Sequence, residues 1–338
     1  MSYLFLVFSL LFTIFTLFLL KKYFGGSKLD LHCPMEGKTI IITSCNVGIG
    51  KEMALDLLSN GAKVIFACLD QAKTNEVINS IQEDKIRSNA YFIRVDWGSF
   101  KSIVNFVDQF HSQFNDFDIF VMNNSECFET FGKSDGIENN FMINHISPIV
   151  MVLLLLSYIN PKGRIINITG KSFTYLKQEE VDKYIGDKEF TQLKLNYKKV
   201  TALALSKLSF LSFALHLDRY FQKKSTFLKI VSLDPGFVLS DPTSTIKSKV
   251  MKFVYYIVMP IVYMFVKNPK SASKSPLNLA YMDYNNLSSS GYYSNDKLLN
   301  ISTLASVESN RKKIVEFSFD LIKENFKDLP PDFIKYFN

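Results

Sequence analysis

"TIIITSCNVGIGKEMALDLLSNGAKVIFACLD", residues 39 to 70, decides the fold. Five residues of strand type (39–43) lead through Ser44-Cys45-Asn46-Val47-Gly48-Ile49-Gly50 into a helical stretch over 48–60, and a second apolar run follows at 63–67. A strand that turns into a helix through glycines points backbone N–H groups at one spot, and glycine is needed wherever a side chain would block an anionic ligand. The unit reads as the first β-α-β crossover of a nucleotide-binding sheet.

Outward from it the same alternation continues. Apolar, β-branched runs at 90–95, 118–122, 164–169 and 227–233 predict further strands buried on both faces, and 71–83, 99–114, 137–158 and 199–222 predict the helices between them. Strands interleaved with helices imply an α/β fold: a Rossmann-type, doubly wound parallel sheet. With no internal repeat, residues 37–322 read as a single domain and 323–338 as a C-terminal tail.

Residues 3–20, "YLFLVFSLLFTIFTLFLL", carry no charge and are followed by Lys21 and Lys22. Eighteen uncharged, mostly apolar residues reach the lower limit for a bilayer span. Residues 1–22 are therefore expected to be an N-terminal transmembrane anchor, and 23–36 a linker. The flanking lysines predict a cytosolic domain by the positive-inside rule, and a single-pass protein of the endoplasmic reticulum is the expected setting. A cleaved signal peptide is the rival, without a basic leader or a small-residue cleavage site. "NIS" (300–302) is a glycosylation acceptor that would be used only in the lumen. A second apolar segment, 253–266, has lysines on both flanks, Lys252 and Lys267 nearest, and suits an interfacial or lid helix as well as a core helix.

The formal charge of +7 would suit an anionic partner. The lysines are dispersed and no basic-aromatic module appears, so a membrane lipid surface is expected rather than nucleic acid. Cys33, Cys45, Cys68 and Cys127 show no ligand spacing, nor do the four histidines, so no metal site or disulfide framework is expected.

The turn and its sequel resemble the short-chain dehydrogenase/reductase family, whose fingerprint reads TGxxxGIG. Thr43, Gly48, Ile49 and Gly50 match, Ser44 replaces the first glycine, and with Asn46 they make the implied cofactor loop. "ACLD" (67–70) is similar to the "ACRD" of membrane-anchored retinol dehydrogenases, with Leu69 replacing the arginine that meets the NADP 2′-phosphate. Asp96 stands at the adenine-contacting position, and "MNNSE" (122–126) resembles "NNAG", keeping Asn123 and Asn124 but ending on Glu126. "FMINHISP" (141–148) supplies Asn144, "LDPG" (233–236) supplies Pro235 and Gly236 beside the nicotinamide, and "SGYYSNDK" (290–297) is similar to a late strand of retinol and polyprenol dehydrogenases. The resemblance spans about 37–320 and implies NAD or NADP as cofactor. Leu69 argues for weak binding without preference for the phosphorylated form, partly compensated by Lys51.

The family's chemistry implies four catalytic positions: a serine orienting the substrate oxygen, the tyrosine and lysine of YxxxK, and an asparagine holding a relay water. "NYKKVTALALSKLSFLSFALHLDRYF" (196–221) resembles the YxxxK helix, with Lys207 retained and Leu203 at the tyrosine position. Asn144 is retained, and Gly170 takes the serine position with Thr169 and Ser172 beside it. "YIGDK" (184–188) fits YxxxK formally but sits in a polar stretch, and Tyr197 lies six residues before Leu203. Three readings follow. The first is a catalytically impaired protein that still binds a dinucleotide or a lipophilic molecule, as a homo-oligomer or with an active relative. The second is a working oxidoreductase of a retinoid, polyprenol or other lipid alcohol or carbonyl. The third is a structural module without nucleotide, favoured by Ser44 and by the crowding carboxylate of Glu126.

Overall fold

In strand β1 (Thr39–Thr43), Ile41 faces one apolar core while Ile40 and Ile42 face another. Side chains alternate across a strand, so a strand apolar at every position must be covered on both sides. The structure, a computed structural model, describes residues 33–224, 227–238, 266–294, 296–300 and 304–337, together with Val7, Phe8, Phe12, Phe15 and Thr16.

β1 feeds helix α1 (Gly48–Ser59), and β2 (Lys63–Cys68) feeds α2 (Gln71–Asn79). Then come β3 (Ala90–Arg94), α3 (Phe100–Gln113), β4 (Phe117–Met122), α4 (Asn139–Tyr158) and β5 (Ile159–Ile168). The chain closes with α5 (Lys199–Lys223), β6 (Lys229–Asp234), α6 (Pro269–Tyr281), β7 (Tyr292–Ser294), β8 (Lys297–Leu299) and α7 (Glu308–Asn325). The sheet order is β8-β7-β6-β5-β4-β1-β2-β3, parallel except for the β8 edge. Helices α3, α4, α5 and α7 cover one face and α1, α2 and α6 the other, which is the doubly wound fold expected. The strand order reverses between β1 and β4, where such sheets open their ligand crevice.

Three boundaries differ from the sequence reading. β5 begins at Ile159, five residues early, because Phe117 pairs with Ile159 before the register shifts at Ile119. The helix expected over 71–83 stops at Asn79, and Asp84–Arg87 forms a separate turn. Residues 323–338 do not trail from the domain: Phe326, Phe333 and Phe337 are buried in the α5/α7 core.

Among the described residues two helices, Asn139–Tyr158 and Lys199–Lys223, are long and apolar enough to cross a membrane, but 72% of each window is buried, as core helices require. The anchor expected at 3–20 lies outside the described residues except for five helical ones, whose Val7, Phe8, Phe12 and Phe15 side chains are exposed. The segment 253–265 and residues 301–302 of the glycosylation triplet also lie outside them. Lys267, on the flank of that segment, is buried and donates to the Pro235 carbonyl at 2.8 Å.

Asp218 ties the end of α5 to the rest of the sheet. Fully buried, its carboxylate accepts from Ser289 Oγ and Ser290 Oγ at 2.5 Å, from Gln222 Nε2 at 2.6 Å and from the Ile230 amide at 3.3 Å. Asp218→Ala should destabilise the fold by about 3 kcal/mol, since several buried donors lose their charged acceptor. A lower urea midpoint in equilibrium unfolding is the expected reading.

Candidate functional site

The turn after β1 is cross-braced from β4 and β2. The Asn123 amide donates to Thr43 Oγ1 at 2.8 Å, Asn123 Nδ2 donates to the Ser44 carbonyl at 3.1 Å, and the Ser44 amide donates to the Ala67 carbonyl at 3.1 Å. At Gly50 an added Cβ would lie 2.7 Å from Asn123 Nδ2 and 2.9 Å from Cys45 Cα, so glycine is demanded by packing alone. Gly48, at φ 61°, faces open space. Ser44 occupies the left-handed region at φ 49°, the conformation the missing glycine would have adopted freely. That strain, about 1–2 kcal/mol, belongs to the folded loop, so it weighs on folding more than on ligand binding.

No side chain caps the N-terminus of α1, whose N-cap position is Val47. The first amides of that helix are left for an anion, and the helix dipole favours one there. The cradle thus fits the pyrophosphate of a dinucleotide. Asp96 is half-buried after β3, its carboxylate accepting from the Gly98 amide at 2.9 Å. Leu69, 49% exposed at the end of β2, offers a 2′-phosphate no charge.

Across the crevice, α4 contains a π-helical turn over Met142–Ile146, of the kind that marks functional positions in helices. It holds Asn144 against the 123–126 loop. Asn144 Oδ1 accepts from the Glu126 amide at 2.9 Å, and Asn144 Nδ2 donates to the Glu126 carbonyl at 2.8 Å and to Ser206 Oγ at 3.3 Å. Lys207, on α5 and 3% exposed, donates to the Asn124 carbonyl at 2.5 Å. Burial drives its pKa down to about 7, against a smaller upward pull from Glu126. Both retained residues therefore grip the same loop. Leu203, one turn before Lys207 on α5, is half-buried and carries no titratable group.

At the serine position Gly170 sits at φ 73° with open space around it. Its carbonyl is 3.5 Å from the Tyr292 hydroxyl, whose pKa is raised by burial and by Asp234, so this phenol is not tuned for proton exchange. Thr169 Oγ1 is buried without a partner among the described residues. Beyond β6, Gly236 takes φ 87° and donates its amide to Asp234 Oδ1 at 3.1 Å, while Lys171 pairs with Asp234 at 3.3 Å. The Lys267 amine lies 3.4 Å from where a Gly236 Cβ would stand, so this turn is narrow as well.

The formal YxxxK at 184–188 is not a site: Lys188 forms surface ion pairs with Asp320 and Glu324 on α7. Tyr197 is engaged elsewhere, donating to the Phe128 carbonyl at 2.9 Å and accepting from Asn140 Nδ2 at 2.9 Å. Burial and the nearby Glu138 push its pKa up to about 12. Among the described residues no cluster of His, Cys, Asp or Glu suits a metal. The spacing of the cysteines hid one contact, because β1 and β2 are paired through space: Cys45 Sγ and Cys68 Sγ are 3.6 Å apart beneath the loop.

Fold and site define a doubly wound α/β protein with a phosphate-type loop at the switch point of its sheet. Residues 38–178 match the short chain dehydrogenase family model. The chain is 26% identical over 308 residues to retinol dehydrogenase 12 of Mus musculus, covering 90% of this chain and 92% of that protein. It is 27% identical over 266 residues to retinol dehydrogenase 13 of Homo sapiens, covering 78% and 77%. A solved structure of an uncharacterized protein from Mycobacterium Paratuberculosis shares the fold, with a TM-score of 0.69 at 17% identity over 88% of this chain and 98% of that one. These matches support the short-chain dehydrogenase/reductase family, in its retinol dehydrogenase-like branch, as the one the sequence motifs resemble.

Lys207 sets a pH signature. Below about pH 7 the amine is protonated in both folded and unfolded chains; between about 7 and the ordinary 10.5 only the unfolded chain holds the proton. Stability should rise with pH through that window, by on the order of 4 kcal/mol, and stay flat in this term below it. Lys207→Met should abolish the rise, which paired urea titrations of both proteins at neutral and alkaline pH would reveal.

Proposed function

We propose that the chain is a membrane-anchored member of its family that keeps a dinucleotide cleft but has lost the proton-transfer half of the reaction. The observation that carries this reading is Leu203, the hydrocarbon one turn before a retained and buried Lys207. A bound NAD or NADP would supply or accept a hydride, and every such transfer to a carbonyl needs a proton delivered to oxygen. Leucine has none to give. Gly170 removes the second polar contact to the same oxygen, and the hydrogen bonds of Asn144 and Lys207 to residues 124–126 give both a reason to persist as loop supports.

The amides at the start of α1, with Thr43, Ser44, Asn46, Gly48, Ile49 and Gly50, would hold the pyrophosphate. Asp96 would meet the adenosine, and Asn123, Lys207, Pro235 and Gly236 the nicotinamide half. Glu126, exposed on the loop and close enough to pull on the Lys207 titration, would weaken binding by placing a carboxylate beside an anionic ligand. Exposed apolar side chains where the chain leaves β5 and β6 and enters α5, among them Tyr175, Phe237, Leu195 and Val200, suit a lipophilic ligand or an active relative as partner. In this reading residues 3–20 anchor a cytosolic domain to the endoplasmic reticulum.

Two measurements test it. Full-length protein in detergent should reduce all-trans-retinal with NADPH far below about 10 s⁻¹, the ordinary enzyme median. Leu203→Tyr should raise that rate at least about tenfold, since general acid catalysis usually contributes about 10²–10⁴. Adding Gly170→Ser should help less than its chemistry suggests, because a serine at φ 73° is strained. Turnover near the median by the unaltered chain overturns the proposal. Separately, Glu126→Gly should tighten NADH binding about tenfold in a fluorescence titration. Absence of binding by both proteins would favour the module that holds no nucleotide.

A further inference from the structure

A cleft of about 460 Å³ opens between the C-terminal half of α5 and the first turns of α7, and a hollow of about 250 Å³ adjoins it; Arg219 and Arg311 line both. Because α5 leads directly into β6, this cleft lies at the end of the sheet where the strands begin. The phosphate-type loop lies at the opposite end. The chain enters β1 at the cleft's end of the sheet, through residues 35–38.

The charges in the cleft do not balance locally. Arg311 is 4% exposed, yet among the described residues its guanidinium has only a 3.5 Å bond to the Ser306 carbonyl and a 3.9 Å pairing with Glu308, whose side chain is 87% exposed. Arg219 makes no ion pair among the described residues, nor does Lys223. The other acids of the cleft are engaged: Asp320 by Lys188 at 2.9 Å and Glu316 by Lys312 at 3.9 Å. His216 Nε2 donates to the Tyr336 carbonyl at 3.0 Å, and burial, Arg311, Lys223 and Arg219 all hold its pKa down. Burial and Arg219 likewise lower that of Arg311. A nearly enclosed guanidinium facing a second one is costly without an anion between them.

No side chain of the described residues caps the N-terminus of α7, so its first amides add to the donors. Two guanidinium forks, an ammonium and helix amides are more donors than a carboxylate's two oxygens can use; a phosphate offers three acceptor oxygens to such forks. Val315, Phe319 and Phe337 give the cleft an apolar wall beside them. We propose that this cleft binds a phosphate group, gripped by Arg219 and Arg311 with Lys223 at its mouth and carried by an anionic lipid headgroup or by a free phosphate. The inference is independent of whether the dinucleotide cleft is active.

The test uses the full chain in neutral detergent, titrated calorimetrically with inorganic phosphate and with dihexanoyl phosphatidic acid. Arg219 and Lys223 are exposed, so Arg219→Gln with Lys223→Gln should leave the melting temperature unchanged while weakening the bound probe at least about tenfold. A lipid source predicts that phosphatidic acid binds at least about tenfold tighter than phosphate, through the apolar wall; a free-phosphate source predicts equal affinities. If neither probe binds, or if the double variant binds as the unaltered protein does, there is no such site. Because both substitutions lie at the far end of the sheet from the β1 turn, phosphate held at that turn would survive them and count against the proposal.

Discussion

The structure depends on how tightly the turn after β1 is held between its neighbouring strands. Asn123, at the end of β4, gives its amide to Thr43 and its side chain to the Ser44 carbonyl, and the same side chain leaves no room for a Cβ at Gly50. One residue therefore fixes the register of β1 against β4, the path of the turn and the start of α1. The crevice at the reversal of strand order exists because these three are fixed together. Ser44 accepts a left-handed backbone under that constraint.

The same crevice separates what a fold needs from what a reaction needs. Asn144 and Lys207 each close a hydrogen bond to the loop that Asn123 begins. Removing Lys207 would take this donor from the carbonyl of the buried Asn124, which is costly, and removing Asn144 would release the amide and carbonyl of Glu126. Leu203 and Gly170 have no comparable structural duty: one is a half-buried hydrocarbon, the other a left-handed residue facing open space. Other side chains at these two positions would cost the fold little, whereas Asn144 and Lys207 are tied into it.

The charge distribution follows the fold in a similar way. Asp218, Arg164 and Lys267 are buried ionic groups saturated by nearby partners: Asp218 by serines and amides, Arg164 by the carbonyls of Leu279 and Met282 at the end of α6, and Lys267 at least by the Pro235 carbonyl. Arg311 is buried to a similar degree but poorly satisfied, and the contrast within one molecule makes its cleft conspicuous.

The alternation of β-branched runs with helical stretches determined the layer architecture, because a strand apolar on both faces can be buried only between two helical layers. Glycines 48 and 50 located the loop, and the apolar run of α5 placed Lys207 and Leu203 on one helix face. Tertiary structure alone decided the rest. Sequence spacing could not show that Cys45 meets Cys68, that Asn144 is occupied by Glu126, or that Phe337 closes the core, since each contact joins segments whose separation in the chain says nothing of their distance in space. Nor could it show that Lys267 turns inward or that Arg219 and Arg311 share a cleft, because lysine and arginine read as surface residues until packing removes the water around them.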